Sequence, residues 1–401
     1  MLRNKFKSVA LRDKTKIVKK SLLALTFGTL ALGISEYVMM GILPFIAEDL
    51  GITIVQSGRL ISAYAIGVCV GAPLTVIIAR KLPLKQILYG LTTVIILGNL
   101  LMAIAPGFGL ALGARFISGL PHGAYFGVGS IVADRIADKG KVAAAVALMV
   151  AGMTFANLIG VPLGAFVSNV LSWRIIFGLI CMVGILVVVF VRHWIPYLEP
   201  LPNNGLKGQF RFLKNPSPWL ILFATTMANT GIFCWYSYVS PSMTVLSGFG
   251  PQSLTWIMML SGLGMVVGNY VGGWMSDRYT PYKFATVIQI FACMVLLSIF
   301  LLGHIQWLTP VLLFCCTGAL FGLSAPEQLL ILQNSRGGEL MGASMIQIAF
   351  NMGNALGAYL GSVPLTRGYG YEYSAAIGIP FAFCGFLLMV PYTRKYGKKL
   401  I

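Results

Sequence analysis

Twelve predominantly apolar stretches of roughly 20 residues, parted by short turns, leave this chain one class of fold. A stretch of that length crosses a bilayer as a helix, because a helix satisfies its own backbone in lipid. The stretches fall at about 21–43, 57–79, 86–105, 108–132, 143–168 and 174–194, then at 219–241, 253–275, 283–303, 309–331, 341–365 and 372–392. Only 10% of residues are charged and mean hydropathy is +0.84, whereas soluble domains carry about 25% charged residues. The sequence predicts an all-α membrane protein with twelve transmembrane helices.

A formal net charge of +18 would suit nucleic acid, but the charges sit between apolar stretches, where lysine and arginine set topology. Of the 29 lysines and arginines, all but Arg59, Arg174, Arg367 and the intramembrane Arg115 fall on the side of the two termini. Both termini are therefore expected in the cytoplasm, an even number of spans separating them. Residues 1–20 read as a basic cytoplasmic tail. The apolar run after them is long and lacks a small-residue cleavage site, so it is read as a first span and not a signal peptide. Residues 195–218 hold five prolines and Asn203-Asn204-Gly205, a linker between residues 21–194 and 219–401. Within it Leu206, Phe210 and Leu213 share a helical face beside Lys207, Arg211 and Lys214, which fits a short surface helix or plain solvated linker.

The halves repeat. An offset of 197 residues sets Gly67 and Gly71 against Gly264 and Gly268, Gly160 and Gly164 against Gly357 and Gly361, and Asn157 against Asn354. Glycines at helical spacing let membrane helices approach closely, and internal repeats are a common plan for secondary transporters. After the second glycine pair comes Gly273-Trp-Met-Ser-Asp277-Arg278, then Lys283, where the helix leaves the lipid.

Several chemistries are excluded. The chain has no GxxxxGK[ST] phosphate loop, no HExxH, no GxSxG and no TVGYG filter. His122, His193 and His304 lie far apart, and Cys69, Cys181, Cys234, Cys293, Cys315, Cys316 and Cys384 fall in apolar stretches with no metal-binding spacing. No metal or cofactor is expected, and an enzyme is not.

What stands out is a handful of polar residues in the spans. Glu36, just past the middle of the first span, is costly in lipid and needs a partner or a wet cavity. Burial favours its neutral form and a nearby cation its charged form, which makes it a candidate proton carrier; the alternative is an acid that only pins helices together. Arg115, at comparable depth in the fourth span, is the expected partner, and His122 on its face is a candidate relay or a satisfied structural histidine. Ser344, Gln347, Asn351 and Asn354 share one face of the eleventh span, and Thr226, Asn229, Phe233 and Tyr236 one face of the seventh. Such faces line a cavity or glue helices. Gln347, Asn351, Asn354, Asn157, Asn229, Phe233 and Tyr236 are the candidate cavity residues; Trp235 and Tyr238 suit ligand stacking or an interfacial belt. Glu327, after Pro326 in the tenth span, reads as a marker of the helix end.

The stretch from Gly273 to Lys283 resembles the signature of the major facilitator superfamily between spans eight and nine. Its counterpart between spans two and three has Arg80-Lys81 and no aspartate. Arg115 with Gly119 and Gly123 is similar to the fourth-span motif of twelve-span drug:proton antiporters, and Gly152 through Gly160-Val-Pro162-Leu-Gly164 to their fifth-span motif. Gly119-Leu-Pro-His-Gly-Ala-Tyr-Phe-Gly and Gly338-Glu-Leu-Met-Gly-Ala resemble the AraJ-type bacterial exporters linked to sugar efflux. The resemblance implies two pseudo-symmetric six-helix bundles around a central cavity, rocking to expose it to either side, with Asp277 and Arg278 as a conformational latch. It implies a monomeric proton-coupled exporter of drug-like compounds or sugars in a bacterial inner membrane. An importer on the same fold is the nearest rival, and a non-transporting sensor or scaffold the rival of another class.

Overall fold

The computed structural model describes residues 2–79, 82–137, 142–200, 210–335 and 339–395; the side chains of 2–17, 76–79, 142–144, 277, 339 and 340 lie outside that description. Among the described residues the chain is helical throughout and forms twelve rods. The first six are α1 (Leu2–Asp49), α2 (Ile54–Ala79), α3 (Leu84–Ala103), α4 (Phe108–Gly119 continuing as Pro121–Ile136), α5 (Val142–Phe155 and Val161–Val170) and α6 (Trp173–Trp194). The second six are α7 (Pro216–Tyr236), α8 (Leu254–Arg278), α9 (Pro281–Leu302), α10 (Thr309–Gly322 continuing as Ser324–Asn334), α11 (Glu339–Thr366) and α12 (Glu372–Lys395). Nine are long and apolar enough to cross a membrane by length and composition. The other three, α4, α7 and α11, carry the intramembrane Arg115 and His122, the Thr225–Asn229 run and the Gln347–Asn354 stripe, which lower their mean hydropathy. Large apolar side chains such as Ile185, Val287, Met294 and Leu387 are exposed on the outside of the rods, a surface suited to lipid.

The predicted spans hold, with shifted ends. The helix of the first span runs past the predicted end at residue 43 to Asp49, so Glu48 and Asp49 close α1. The linker contributes a turn of 3₁₀ helix at Arg211–Lys214, and α7 begins at Pro216; the rest of the predicted surface helix, including Leu206 and Lys207, lies outside the described residues.

Prolines explain the interruptions. Pro121 has no N–H for the Ile117 carbonyl, which accepts from the Leu120 N–H at 3.2 Å instead. In α10 the chain breaks at Leu323, just ahead of Pro326. Within α5, a π turn at Ala156–Gly160 carries Asn157.

Packing repeats between the halves. α1 lies on α5 and α7 on α11; α2 on α4 and α8 on α10; α3 on α6 and α9 on α12. The glycine pairs sit at these crossings. Gly67 and Gly71 face the Phe116 and Leu120 carbonyls of α4, and Gly264 and Gly268 face the Phe314 and Gly318 carbonyls of α10. A Cβ there would overlap backbone that has nowhere to go. The two halves touch along α2 against α11 and α5 against α8.

Hydrogen bonds identify the two faces of the molecule. At the face carrying the start of the first span, the Ser21 hydroxyl donates to the Trp194 carbonyl (2.5 Å) and the Lys85 ammonium to the Arg192 and Ile195 carbonyls (2.8 and 2.7 Å). In the second half, Asn334 at the end of α10 donates to the Tyr392 hydroxyl near the end of α12 (2.8 Å). At the opposite face Arg174 pairs with Asp49 and donates to the Ala105 carbonyl (3.0 Å), while the Trp173 indole donates to Asp49 (3.2 Å). That clasp joins the ends of α1, α3 and α6 at this face.

Candidate functional site

A cavity of about 560 Å³ lies between the halves. Its floor, at mid-depth, holds Glu36 and Tyr37 from α1, His122 from α4 and Asn354 from α11. Its walls run past Ser130 and Asp134 of α4 and Gln328 and Leu332 of α10 toward the face that carries the chain termini. At the opposite face the halves close on one another. The Ser62 hydroxyl of α2 donates to the Ala355 carbonyl of α11 (2.9 Å), and Tyr238, whose hydroxyl donates to the Ala358 carbonyl within the second half (2.7 Å), packs against Gly58 of α2.

The floor is a chain of polar contacts. The Asn354 amide donates to Glu36 Oε1 at 3.3 Å. His122 Nε2 stands 3.8 Å from Glu36 Oε2. The other ring nitrogen, Nδ1, is 2.9 Å from the Tyr64 hydroxyl. The Arg115 guanidinium lies over the Tyr64 ring, 4.3 Å from its centroid, a cation–π contact between two fully buried side chains. Five side chains from α1, α2, α4 and α11 thus form one continuous path, and Asn354 is the member from the second half.

Glu36 and Arg115 form no ion pair here, against the sequence expectation. Arg115 Nη1 donates to the Ser35 carbonyl at 2.8 Å and reaches the Ser35 hydroxyl at 3.3 Å. The depth estimate was right, since Ser35 is the neighbour of Glu36. The reason for the missed pair is rotational: consecutive residues of a helix point about 100° apart, so the arginine that meets Ser35 passes beside Glu36. The two remain close enough to interact through space. Arg115 is fully buried, and its Nε and Nη2 have no hydrogen-bond partner.

The structure gathers Asn229, Ser344, Gln347, Asn351 and Asn354 around the cavity, as their helical spacing predicts. Asn157, Phe233 and Tyr236 do not line it. Phe233 and Tyr236 are 1% exposed and pack edge to face, and the Tyr236 hydroxyl meets Ser261 at 3.1 Å. They belong to the closed end of α7, with Trp235 bonded to Ser242 and Tyr238 to Ala358; this end is where the halves meet. Asn157 is turned into the α5–α8 contact, where its backbone carbonyl faces Gly262 and its side-chain amide has no partner. Arg278 stacks near the Trp274 ring, 5.3 Å from its centroid; the Asp277 side chain lies outside the described residues.

Phe126 lies where the sequence puts it, on the inward face of the fourth span with Arg115, Gly119 and His122, whereas sequence reasoning missed Tyr37, Tyr64 and Phe321 in this region. His122 stacks on Phe126 at 5.2 Å, and Tyr37 tilts against Phe321 across the cavity at 5.7 Å. Tyr64 was within reach as a polar aromatic three residues before Gly67.

Comparison with known proteins places this geometry. The family model of the Major Facilitator Superfamily matches residues 25–358. "Putative transporter AraJ" of Escherichia coli (strain K12) is 44% identical over 377 residues, which cover 94% of this chain and 96% of that protein. The inner membrane transport protein YdhP of the same strain is 32% identical over 377 residues, covering 93% and 96%. Among solved structures, a bacterial homologue of the human lysosomal transporter Spinster, in an inward-facing and unoccupied conformation, shares the fold. Its TM-score is 0.72 with 14% sequence identity, covering 94% of this chain and 95% of that one.

Proposed function

This chain belongs to the Major Facilitator Superfamily, and from that premise we propose that it is a proton-coupled exporter of small neutral molecules, with Glu36 as the proton carrier. Membership makes it a secondary transporter and not an enzyme. The two moving bodies are residues 21–194 and 219–401, joined by the linker 195–218. With both termini in the cytoplasm of a bacterial cell, as the basic residues suggest, the cavity described above is the inward-facing state.

The observation that carries the reading is the Glu36–Asn354 hydrogen bond at 3.3 Å. It runs from the carboxylate of one half to an amide of the other. A charged Glu36 holds Asn354 more strongly than a neutral one, so taking up or losing a proton changes how firmly the halves are tied at the floor of the cavity. His122 supports transfer, because its neutral ring can carry its proton toward Glu36 on Nε2 or toward Tyr64 on Nδ1. Arg115 supports the charged state from a distance, and the duplicated scaffold supports rocking.

The lining supports the substrate class. The amides of Asn229, Asn269, Gln328, Gln347 and Asn351 and the hydroxyls of Ser130 and Ser324 alternate with Phe126, Phe321 and Phe350. Among the described residues no lysine or arginine lines the cavity, so an anion would find no counter-charge. A hydroxyl-rich molecule with one apolar face matches such a wall.

Proteoliposomes with an imposed pH gradient test the proposal. Glu36→Gln is expected to abolish gradient-driven flux while leaving substrate counterflow and binding in place. Gradient-driven flux at the wild-type rate in that variant removes Glu36 as the carrier. The direction of flux under the gradient separates export from import.

A further inference from the structure

Glu327 is the second acid buried in the spans, and the transport path does not use it. It is fully buried in the first turn after the break in α10. Ser324, Ala325 and Gln328 around it line the cavity, and Glu327 itself does not. Its Oε1 accepts from the Gln289 amide of α9 at 3.1 Å. The Thr225 hydroxyl of α7 lies beside the carboxyl without completing a hydrogen bond. Helices α7, α8, α9 and α11 all pack on this stretch. Among the described residues they turn no charged or other titratable side chain toward Glu327.

Three oxygens of this cluster are left over. Glu327 Oε2, Gln289 Oε1 and Thr225 Oγ1 are all inaccessible and all lack a hydrogen-bond partner. Buried polar groups are ordinarily paired, and a carboxylate is not held in an apolar interior without a positive partner. The Thr225 hydroxyl can donate to only one of these oxygens, and a carboxylate, an amide oxygen and a hydroxyl oxygen gathered in one place are the ligand types of a hard cation.

We propose that Glu327, Gln289 and Thr225 bind one small monovalent cation, sodium or a proton, inside the second bundle and apart from Glu36. The site stands on side chains that no other part of the path touches, so it does not depend on the proton role of Glu36. Sodium and protons compete for the same carboxylate.

The test is thermal unfolding of the purified full-length chain in detergent, in sodium chloride against potassium chloride at equal ionic strength, across pH. For the wild type and for Glu36→Gln, sodium in tenfold excess over its dissociation constant is expected to raise the melting temperature by about 2 °C, with the gain fading on acidification. Glu327→Gln, Gln289→Leu and Thr225→Val are expected to lose that gain. Absence of a sodium effect, with a pH response that Glu327→Gln removes and Glu36→Gln keeps, assigns the site to the proton. Should Glu327→Gln yield no folded protein, the Gln289 and Thr225 variants carry the same comparison. Equal responses to sodium and to pH in the wild type and in these variants overturn the site and leave Glu327 a static neutral contact.

Discussion

Asn354→Leu removes the one side-chain bond that, among the described residues, ties Glu36 to the second half. A hydrogen bond to a charged group contributes roughly 1.5–3 kcal/mol, against about 0.5–1.5 kcal/mol between neutral partners. The observed bond is long, at 3.3 Å, so the lower end of each range applies. With Glu36 charged, its loss costs about 1.5 kcal/mol and shifts the balance between the two access states about tenfold away from the conformation described here. With Glu36 neutral, the loss is about 0.5 kcal/mol, or two- to threefold. Leucine is close to asparagine in size, so packing changes little. Spin labels at Asp134 and Gln333, on the cavity-rim ends of α4 and α10, in a background with the seven native cysteines replaced, report the opening as a distance distribution. The variant should lose the open-rim population about tenfold at alkaline pH and only slightly at acid pH. The same shift at both extremes would mean that Asn354 merely packs; no shift at either would refute the tie between the halves.

Three further outcomes are expected. Arg115→Ala removes the Ser35 hydrogen bonds and the Tyr64 contact and leaves Glu36 without a nearby cation. It should lower folded yield in fluorescence-detected size exclusion, with partial recovery in the double variant carrying Glu36→Gln; an equal or worse double variant contradicts the through-space coupling. Gly71→Val forces a branched side chain onto the Leu120 carbonyl and should cost about 1–3 kcal/mol, read as a lower melting temperature than a valine at Gly90, where a Cβ meets open space. Asp277→Asn should leave the protein folded in the membrane but slow turnover in proteoliposomes; wild-type binding and transport would reduce Asp277 to a topological charge.

Much of the architecture was legible because the bilayer makes a strict demand on span length, and because duplicated glycines must recur where helices cross. Gly67 with Gly71 and Gly264 with Gly268 forecast two equivalent contacts, and each meets a backbone carbonyl of the helix two places on. The polar face of α11 was legible for a similar reason, since periodicity alone gathers Gln347, Asn351 and Asn354. Rotation between helices was not. Depth along a helix comes from counting residues, but the azimuth of Arg115 relative to Glu36 depends on how α1 and α4 pack. That is why the arginine was matched to the right turn and the wrong residue. The aromatic run of α7 was misread because ring-rich stretches serve equally as ligand platforms and as seals. Phe233 and Tyr236 seal the closed end in this conformation. Glu327 looked like a helix-end marker and does open a helical segment, yet no local signal pointed to Gln289 on another helix.

Duplication accounts for the glycines and not for the charges. Asn157 and Asn354 occupy equivalent places in the two halves, yet only Asn354 meets an acid, because the equivalent of Glu36 in α7 is the aromatic Phe233 and not a carboxylate. Its counterpart Asn157 is buried with both amide atoms unpaired, against α8 in a π turn, and a buried amide left without partners costs about 1–3 kcal/mol. The symmetric scaffold therefore supplies two equivalent levers, α5 and α11. The unequal polar groups set them apart: Asn354 on α11 is bonded to Glu36, and Asn157 on α5 bears an unmet cost in the state described here. A rocking motion that keeps each half rigid has to remake the α2–α11 and α5–α8 contacts; Asn157 sits in the second, and Asn354 is the neighbour of Ala355, which accepts from Ser62 in the first. On the proposed coupling, a proton on Glu36 acts on this balance through the one bond to Asn354 at the floor of the cavity described here.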